Sequence, residues 1–437
     1  MERALQPLCR PSLRVDETDP VVAIFEPNFT GHRWRYVEWI AEACIEAGSP
    51  CLIVTELANE DHPLARQVVA ANRSDLQIAF IEEGSTRRRR GLNRFGPVRF
   101  HRYFQRAYKM INSAQPIALV VIPYADYFLH ALPFLGSPFG RAPWLTITMR
   151  VAFHHASVGV RAPSQPLKNF AKNLIFRAAL RTRGLRAMLS IDPTLSEWSA
   201  RAKPAYSANI GYVPDPFPDV PPQDMADARE RLGLDPDARY LLVYGAISDR
   251  KGICELIEAI AGIKGGPTTV LIAGEQDKET RGFMRAFLPH LSPRPVILDT
   301  FIPNDVERDL FAACDAVWLG YRGHYGMSGV LVQAYRFGKP VIATADGLIG
   351  WFCRDGNLGP LLNDLSPETI RNALDELGEH WLPTRNADGD ILPPTRHALE
   401  SLLARNTLAD FKQTFVQAIR AAQPESPRSA LCALPPI

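Results

Sequence analysis

The chain has 437 residues, 46% of them apolar, and a net charge of +2, enough for two full cores and too much for one ordinary domain. No run approaches the ~18 apolar residues that span a bilayer, and the opening Met-Glu-Arg-Ala-Leu-Gln-Pro lacks a signal-peptide core. The seven cysteines form no Cys-x-x-Cys pair, which argues against a disulfide scaffold or a cysteine metal site and predicts reduced thiols in a cytoplasmic protein.

Residues 1–18 read as an irregular tail. Val21–Glu26 is a buried-strand run, followed by the turn Pro27-Asn-Phe-Thr-Gly31-His32-Arg33, a helix from about Tyr36 to Glu46 and the strand Cys51–Thr55. The pattern recurs, with strand candidates at Ile78–Ile81, Ile117–Ile122, Trp144–Met149 and Ala187–Ile191. Such alternation predicts a parallel, doubly wound sheet. The proline-rich Val213–Pro222 interrupts it and reads as a linker, because closely spaced prolines resist helix and sheet alike. Alternation resumes with strands at Tyr240–Tyr244, Thr268–Ala273, Pro295–Asp299, Ala316–Leu319 and Val341–Ala343. Helices are expected at Ile253–Ile263, Asp305–Ala313, after Ser328, and near Pro367–Leu377. The expected fold class is α/β, with two doubly wound Rossmann-like domains and an interdomain cleft. The domains are 19–212 and 223–393, joined by 213–222. A C-terminal helix over 394–423 and a disordered tail at 424–437 complete the chain.

The charge is unevenly spread. Gly84 to Ile191 holds eighteen Lys or Arg and one acid, Asp126. A basic half of this kind suits an anionic partner: phosphate, acidic headgroups or nucleic acid. Within it, Gln165–Arg183 is amphipathic, with Leu167, Phe170, Ala171, Leu174, Ile175 and Ala178 on one face and Lys168, Lys172, Arg177 and Arg181 flanking it. Cations beside an apolar stripe suit a helix lying in a membrane interface, although a core-facing helix with a basic rim is commoner. The cluster Arg87–Arg90, with Arg94, Arg99, Arg102, Arg106 and Lys109, favours an anionic membrane surface, at about 1 kcal/mol per cation. Nucleic acid is ranked last, since no helix-turn-helix, zinc or RRM signature is present.

Two stretches point to a phosphate site. Ser328 is a plausible N-cap, Val330, Leu331, Ala334 and Tyr335 keep helical spacing, and Gly338 with Pro340 ends the helix. A small-residue turn opening a helix leaves backbone N–H groups free for an anion, here at Ser328, Gly329 and Val330. The strand Tyr240–Tyr244 runs into Gly245-Ala-Ile-Ser-Asp-Arg250-Lys251-Gly252, where Gly245 permits close backbone approach. Lys251 is then a phosphate ligand or simply a surface lysine. In the first half, Gly31 and His32 follow the first strand at the sheet edge where ligands bind. His32 is a candidate ligand contact or a histidine satisfied at the helix start. Asp126 makes a structural ion pair, the favoured reading, or takes a catalytic role at the strand end. Arg150 is placed to meet a phosphate, and His154 with His155 reads as loop surface.

In order and spacing, these motifs resemble the GT-B glycosyltransferases, specifically the retaining family-4-like group. Gly245, Lys251 and Gly252 match that group's first motif, and Ala273-Gly274 its second. Asp315-Ala-Val-Trp-Leu319 matches the third, and Gln333-Ala334 through Gly338-Lys-Pro-Val-Ile-Ala343 the fourth. The similarity covers about 238–380, and in the first half rests on Gly31-His32, strand order and Pro214-Asp215. It implies transfer of a sugar from a nucleoside diphosphate donor to a glycan or lipid-linked acceptor in polysaccharide or glycoconjugate biosynthesis. It also implies a metal-free site, with the protein cytoplasmic or peripheral on the inner face of the membrane. Its donor residues would be Gly245, Arg250, Lys251, Ser328, Gly329, Val330 and Gln333. His32, contacting the donor or acceptor sugar, and Asp126, orienting an acceptor hydroxyl, would be catalytic, and Gly31 and Arg150 would lie on the acceptor side. Three positions depart from the group: Ala246 replaces its first-motif Arg, with Arg250 as a possible substitute, Gln333 replaces the glutamate that holds the donor ribose, and Tyr325 replaces the preceding glutamate. Those losses make a catalytically degenerate scaffold that binds a nucleotide sugar or glycan the alternative.

Overall fold

A computed structural model describes residues 20–29, 33–82, 96–202, 209–216, 223–261, 268–385, 391–397 and 406–423. The chain forms two compact units.

The first unit comprises Met1–His154, Gln165–Pro214 and Leu408–Ile437. Its strands are β1 (Val21–Phe25), β2 (Cys51–Glu56), β3 (Leu76–Ile81), β4 (Ile117–Ile122), β5 (Trp144–Thr148), β6 (Leu185–Ser190) and β7 (Asn209–Tyr212). They pair in parallel in the order β3-β2-β1-β4-β5-β6-β7. Continuous apolar runs such as Val21-Val-Ala-Ile-Phe25, buried at every position, are what a sheet covered on both faces requires. The helices of the unit include α1 (Arg33–Glu46), α2 (Pro63–Ala71), α3 (Gly96–Ala114), α4 (Leu132–Leu135), α5 (Pro166–Ala179) and α6 (Pro193–Ala202). In α3, Tyr103, Phe104, Ala107 and Ile111 are buried, whereas Arg102, Arg106 and Lys109 are exposed. The cations of this stretch therefore lie on the outer face of a helix between β3 and β4.

The second unit comprises His155–Ser164 and Asp215–Thr407. Its strands are β8 (Arg239–Tyr244), β9 (Thr268–Ala273), β10 (Val296–Leu298), β11 (Ala316–Leu319), β12 (Val341–Thr344) and β13 (Leu361–Leu362). They form a parallel sheet in the order β10-β9-β8-β11-β12-β13. The helices α7 (Met225–Leu232), α8 (Ile253–Ala261), α9 (Lys278–Phe287), α10 (Asn304–Ala313), α11 (Gly329–Arg336), α12 (Gly347–Gly356) and α13 (Pro367–Glu376) belong to this unit. Apolar cores lie on both faces of the sheet, one around Phe311, Leu331 and Tyr335, the other around Ile253, Ile257 and Trp318.

The units differ from the linear division expected from sequence in two segments. His155–Ser164 joins the second unit, and the C-terminal helix joins the first. That helix runs Leu408–Ala422 and buries Phe411, Phe415, Ile419 and Ala422. Phe411 packs edge-on to Tyr36 and Trp39 of α1, at 5.9 and 5.7 Å between ring centroids. Lys412 pairs with Glu42 at 3.0 Å and Glu46 at 2.9 Å. The sequence predicts this helix from 394, but residues 394–397 are not helical; residues 398–405, the tails at 1–18 and 424–437, and part of the linker at 217–222 lie outside the described residues.

Candidate functional site

In each sheet the strand order reverses beside one strand, and such a switch point opens a crevice at the carboxyl ends of the strands. In the second unit it lies between β8 and β11. The turn after β8 makes a short 3-10 segment, Asp249–Lys251, ended by Gly252 in a left-handed conformation (φ 63°). A Cβ on Gly252 would sit 2.0 Å from the Gly320 carbonyl oxygen, so only glycine lets the turns after β8 and β11 approach so closely. The turns are further joined by the Arg322 N–H donating to the Arg250 carbonyl at 2.9 Å and the Trp318 indole donating to the Lys251 carbonyl at 2.8 Å.

Lys251 is not a surface lysine. It is 9% exposed, and its ammonium donates to the Tyr244 carbonyl at 2.8 Å and to the Tyr321 hydroxyl at 2.6 Å. It also lies 4.3 Å from the centroid of the Tyr321 ring. A buried cation held in this way keeps a fixed position with one of its three donors unassigned. Arg250, beside it, is exposed. Arg322 pairs with Asp249 at 2.9 Å and with Glu255, which locks the outer edge of the turn.

The loop after β11 leads to Ser328, the N-cap of α11, whose hydroxyl makes no capping hydrogen bond. The Leu331 and Val332 N–H groups return to the Ser328 carbonyl at 3.0 and 3.3 Å, leaving Gly329 and Val330 at the open helix start. Tyr325 braces this loop: its carbonyl accepts from Leu348 N–H at 3.1 Å. A Cβ on Gly347 (φ 64°) would lie 2.5 Å from the Tyr325 Cα.

Gln333 is buried, 4% exposed, and its amide donates to the carboxyl of Glu307, itself 6% exposed, from α10. The Gln333 Oε1 has no protein partner. Sequence alone predicted that an amide here leaves the position without a carboxyl group. The structure corrects this, because Glu307 brings one to the same place from 26 residues away. A glutamate at 333 would set two carboxyls in hydrogen-bond contact, which only a shared proton could accommodate.

The first unit's crevice lies between β1 and β4. Glu26, just past β1, is fully buried. Its Oε1 accepts from the Tyr127 hydroxyl at 2.8 Å and the Asn28 N–H at 3.0 Å, while Oε2 has no partner. Burial pushes its carboxyl from the ordinary 4.5 to about 7, against the lowering pull of those hydrogen bonds and of Arg33. Asp126, after β4, forms no ion pair among the described residues, against the favoured expectation. Its carboxylate accepts from the Thr148 hydroxyl at 3.2 Å and from the Met149 and Arg150 N–H groups at 2.9 and 3.3 Å, so it braces the turn after β5. Burial also holds its pKa above the usual aspartate range. Arg33 lies 5.3 Å from the centroids of both Tyr124 and Tyr127, and Arg150 lies 5.5 Å from that of Tyr124. These groups line a pocket of about 320 Å³.

Asp126 and Arg150 thus come together; Lys251 and Arg250 share the turn after β8, which is tied to Trp318, Tyr321 and Arg322 at the start of the loop that leads to Ser328. Gly31 and His32 lie outside the described residues. His154 and His155, expected on the surface, are buried, and His154 Nε2 lies 3.1 Å from both Thr194 Oγ1 and Asp192 Oδ2. Sequence reasoning did not single out Glu26, Tyr127 or Glu307. Glu26 ends an apolar strand, a hint of burial that was available; the other two carry no local signal.

Comparison with known proteins agrees with this geometry. Residues 238–380 match the family described as Glycosyl transferases group 1. The lipopolysaccharide core biosynthesis glycosyltransferase LpsE of Rhizobium meliloti is 27% identical over 161 residues, covering 37% of this chain and 46% of that protein. The curated relatives that match are spanned over only 28% to 46% of their length. Among solved structures, sucrose-phosphate synthase from Thermosynechococcus elongatus superposes with a TM-score of 0.60 at 17% identity, over 95% of this chain and 100% of that one. HepE of Anabaena, in complex with UDP-glucose, gives 0.53 at 14% identity over 94% and 99%. The fold is GT-B, and the similarity to the group-1 glycosyltransferase family lies in residues 238–380 of the second unit.

Proposed function

We propose that this GT-B protein transfers a sugar from a nucleoside diphosphate donor to a glycan or lipid-linked acceptor in polysaccharide or glycoconjugate biosynthesis. The observation that carries the reading is the β8–β11 crevice, where a buried, fixed lysine and an open helix start occur within the family-matched residues. As the glycosidic bond breaks, negative charge builds on the leaving diphosphate. Lys251, Arg250 and the N–H groups of Gly329 and Val330 are the groups that would meet it, and donors already fixed in place cost no reorganisation. With that charge met by the chain itself, the reaction needs no metal. Retention of configuration follows from the family resemblance alone. Gln333 with Glu307 offers an amide and a carboxyl to donor hydroxyls.

A sugar-nucleotide panel read by thermal shift tests this. UDP-, GDP- or ADP-linked sugars should raise the melting temperature, and donor hydrolysis or transfer should survive EDTA. Nucleotide binding with no turnover on any acceptor would instead mark a scaffold.

The acceptor side of the reading includes an anionic membrane surface. On α5 the stripe points outward: Leu167, Phe170 and Leu174 are 85%, 63% and 52% exposed, with Lys168 and Lys172 exposed among them. This is the reverse of a core-facing helix. Phe134 and Leu135 of α4 are also exposed, and the exposed cations of α3 belong to the same unit. Apolar side chains ringed by cations are what an interface with acidic headgroups selects. No helix among the described residues is long and apolar enough to cross a membrane. The triple change Leu167→Ser, Phe170→Ser, Leu174→Ser should abolish flotation with phosphatidylglycerol vesicles at low salt and leave stability within about 0.5 kcal/mol. Unchanged flotation would rule this surface out.

A further inference from the structure

Tyr321 stands two residues past β11 and is 8% exposed. Its oxygen accepts from the Lys251 ammonium at 2.6 Å, so its own proton must point away from that cation. No acceptor for the proton is present among the described residues, and a buried hydroxyl without one is costly. An ammonium donating into the phenol oxygen also polarises the O–H bond and makes it a stronger donor. The ring is fixed as well. The ammonium lies 4.3 Å from its centroid, and His324 packs edge-on to it at 5.7 Å. His324 in turn donates through Nε2 to the Met327 carbonyl at 3.0 Å, one residue before the Ser328 helix start.

Of the two cations in the turn after β8, Arg250 is exposed, and Ala246 brings no donor. The fixed donor next to Lys251 therefore comes from the β11 side. A Cβ on Gly245 would lie 3.5 Å from the ammonium, so a side chain there would cover the cation and glycine leaves that side bare. A phosphate oxygen at charge-assisted distance from the ammonium, about 2.8 Å, lies no more than about 5.4 Å from the phenol oxygen, given the 2.6 Å between the two groups. One phosphate oxygen, or two of the same phosphate, can then take both donors.

We propose that Tyr321 is a catalytic residue whose phenol donates a hydrogen bond to the leaving diphosphate, beside the bond from Lys251. The catalytic role rests on the glycosyltransferase reading of this crevice; the contact with a diphosphate does not. The proton stays on the phenol oxygen throughout. The hydrogen bond strengthens as charge builds on the diphosphate, so it is worth more in the transition state than with the intact donor.

Tyr321→Phe keeps the ring and removes the hydroxyl, and circular dichroism checks that the variant folds. Calorimetric titration of the full chain uses pyrophosphate, UDP, GDP and ADP as probes. The wild type should bind at least one, and the variant should bind it about tenfold to a hundredfold more weakly. With a donor that the wild type turns over, kcat should fall by a similar factor while the donor KM moves by less than about threefold. A double-mutant cycle separates contact from positioning. A phenol that only oriented the ammonium would cost nothing further when removed from Lys251→Met, whereas a direct contact predicts a further loss of about fivefold or more. Should Tyr321→Phe fail to fold, 3-fluorotyrosine in place of Tyr321 carries the test: its fluorine resonance should move when the bound probe is added, and an unmoved resonance overturns the proposal. Equal affinity and turnover in a folded Tyr321→Phe, or no added loss in Lys251→Met, also overturns it and leaves the glycosyltransferase reading intact. Hydroxyl-dependent binding without turnover sinks the transfer reading and keeps the contact. A wild type that binds none of the four probes overturns both.

Discussion

The two units place a crevice at the same topological point, beside β1 in one sheet and β8 in the other, and furnish it in opposite ways. At β8 the cation is buried and fixed by a carbonyl and a phenol, and the surrounding arginine, Arg322, is neutralised by Asp249 and Glu255. At β1 the fully buried group is an acid, Glu26, while Arg33 and Arg150 rest on aromatic faces and form no ion pair among the described residues. A shared strand order therefore fixes where a ligand can approach, and the turns after the strands decide what it meets.

The sharpest way to break the contrast is Lys251→Met, which keeps much of the stem and removes the ammonium. Transfer should fall at least a hundredfold, about 2.7 kcal/mol in the barrier. Steady-state kinetics with a donor that stabilises the wild type would show it; near-normal turnover would mean the lysine is structural. At the other crevice, Glu26→Gln mimics the protonated acid. A carboxyl raised on folding from 4.5 to about 7 gives stability that is full below the unfolded pKa and is lost as pH rises through the folded one. The wild type should therefore lose up to about 3 kcal/mol between pH 4.5 and 8 that the variant retains. Urea titrations across that range measure it, and parallel profiles would refute the assignment. The smallest effect is expected from Gln333→Glu, which sets a second carboxyl against Glu307. It should cost about 1–3 kcal/mol at pH 8 and less at pH 5, where one proton can be shared. A pH-independent cost would point to packing instead.

The second crevice was the more legible of the two. Its glycines, its lysine and its helix start fall within contiguous motifs, so position in the chain stands in for position in space. Even there, the pairing of Gln333 with Glu307 joins different helices, and no spacing rule announces it. In the first unit the strands were readable as apolar runs, but the site residues are spread from Glu26 to Lys172. In α3 the cations are the conspicuous residues of the sequence, while the buried Tyr103, Phe104, Ala107 and Ile111 fix which face packs inward. The amphipathic pattern of α5 was visible, yet periodicity says only that a helix has an apolar face. Which way it turns is decided by neighbours.

The C-terminal helix has a consequence for how the molecule is made. Lys412 meets Glu46 across 366 positions of chain, so the first unit, begun earliest at the ribosome, cannot close its wall over Tyr36 and Trp39 until nearly all of the chain has emerged. Most of the second unit is a single later stretch, and it can finish first. Contacts of such sequence separation form slowly and leave apolar surface waiting. A fragment ending at Pro214 would carry that bare wall permanently, and should aggregate unless the helix Leu408–Ala422 is supplied in trans.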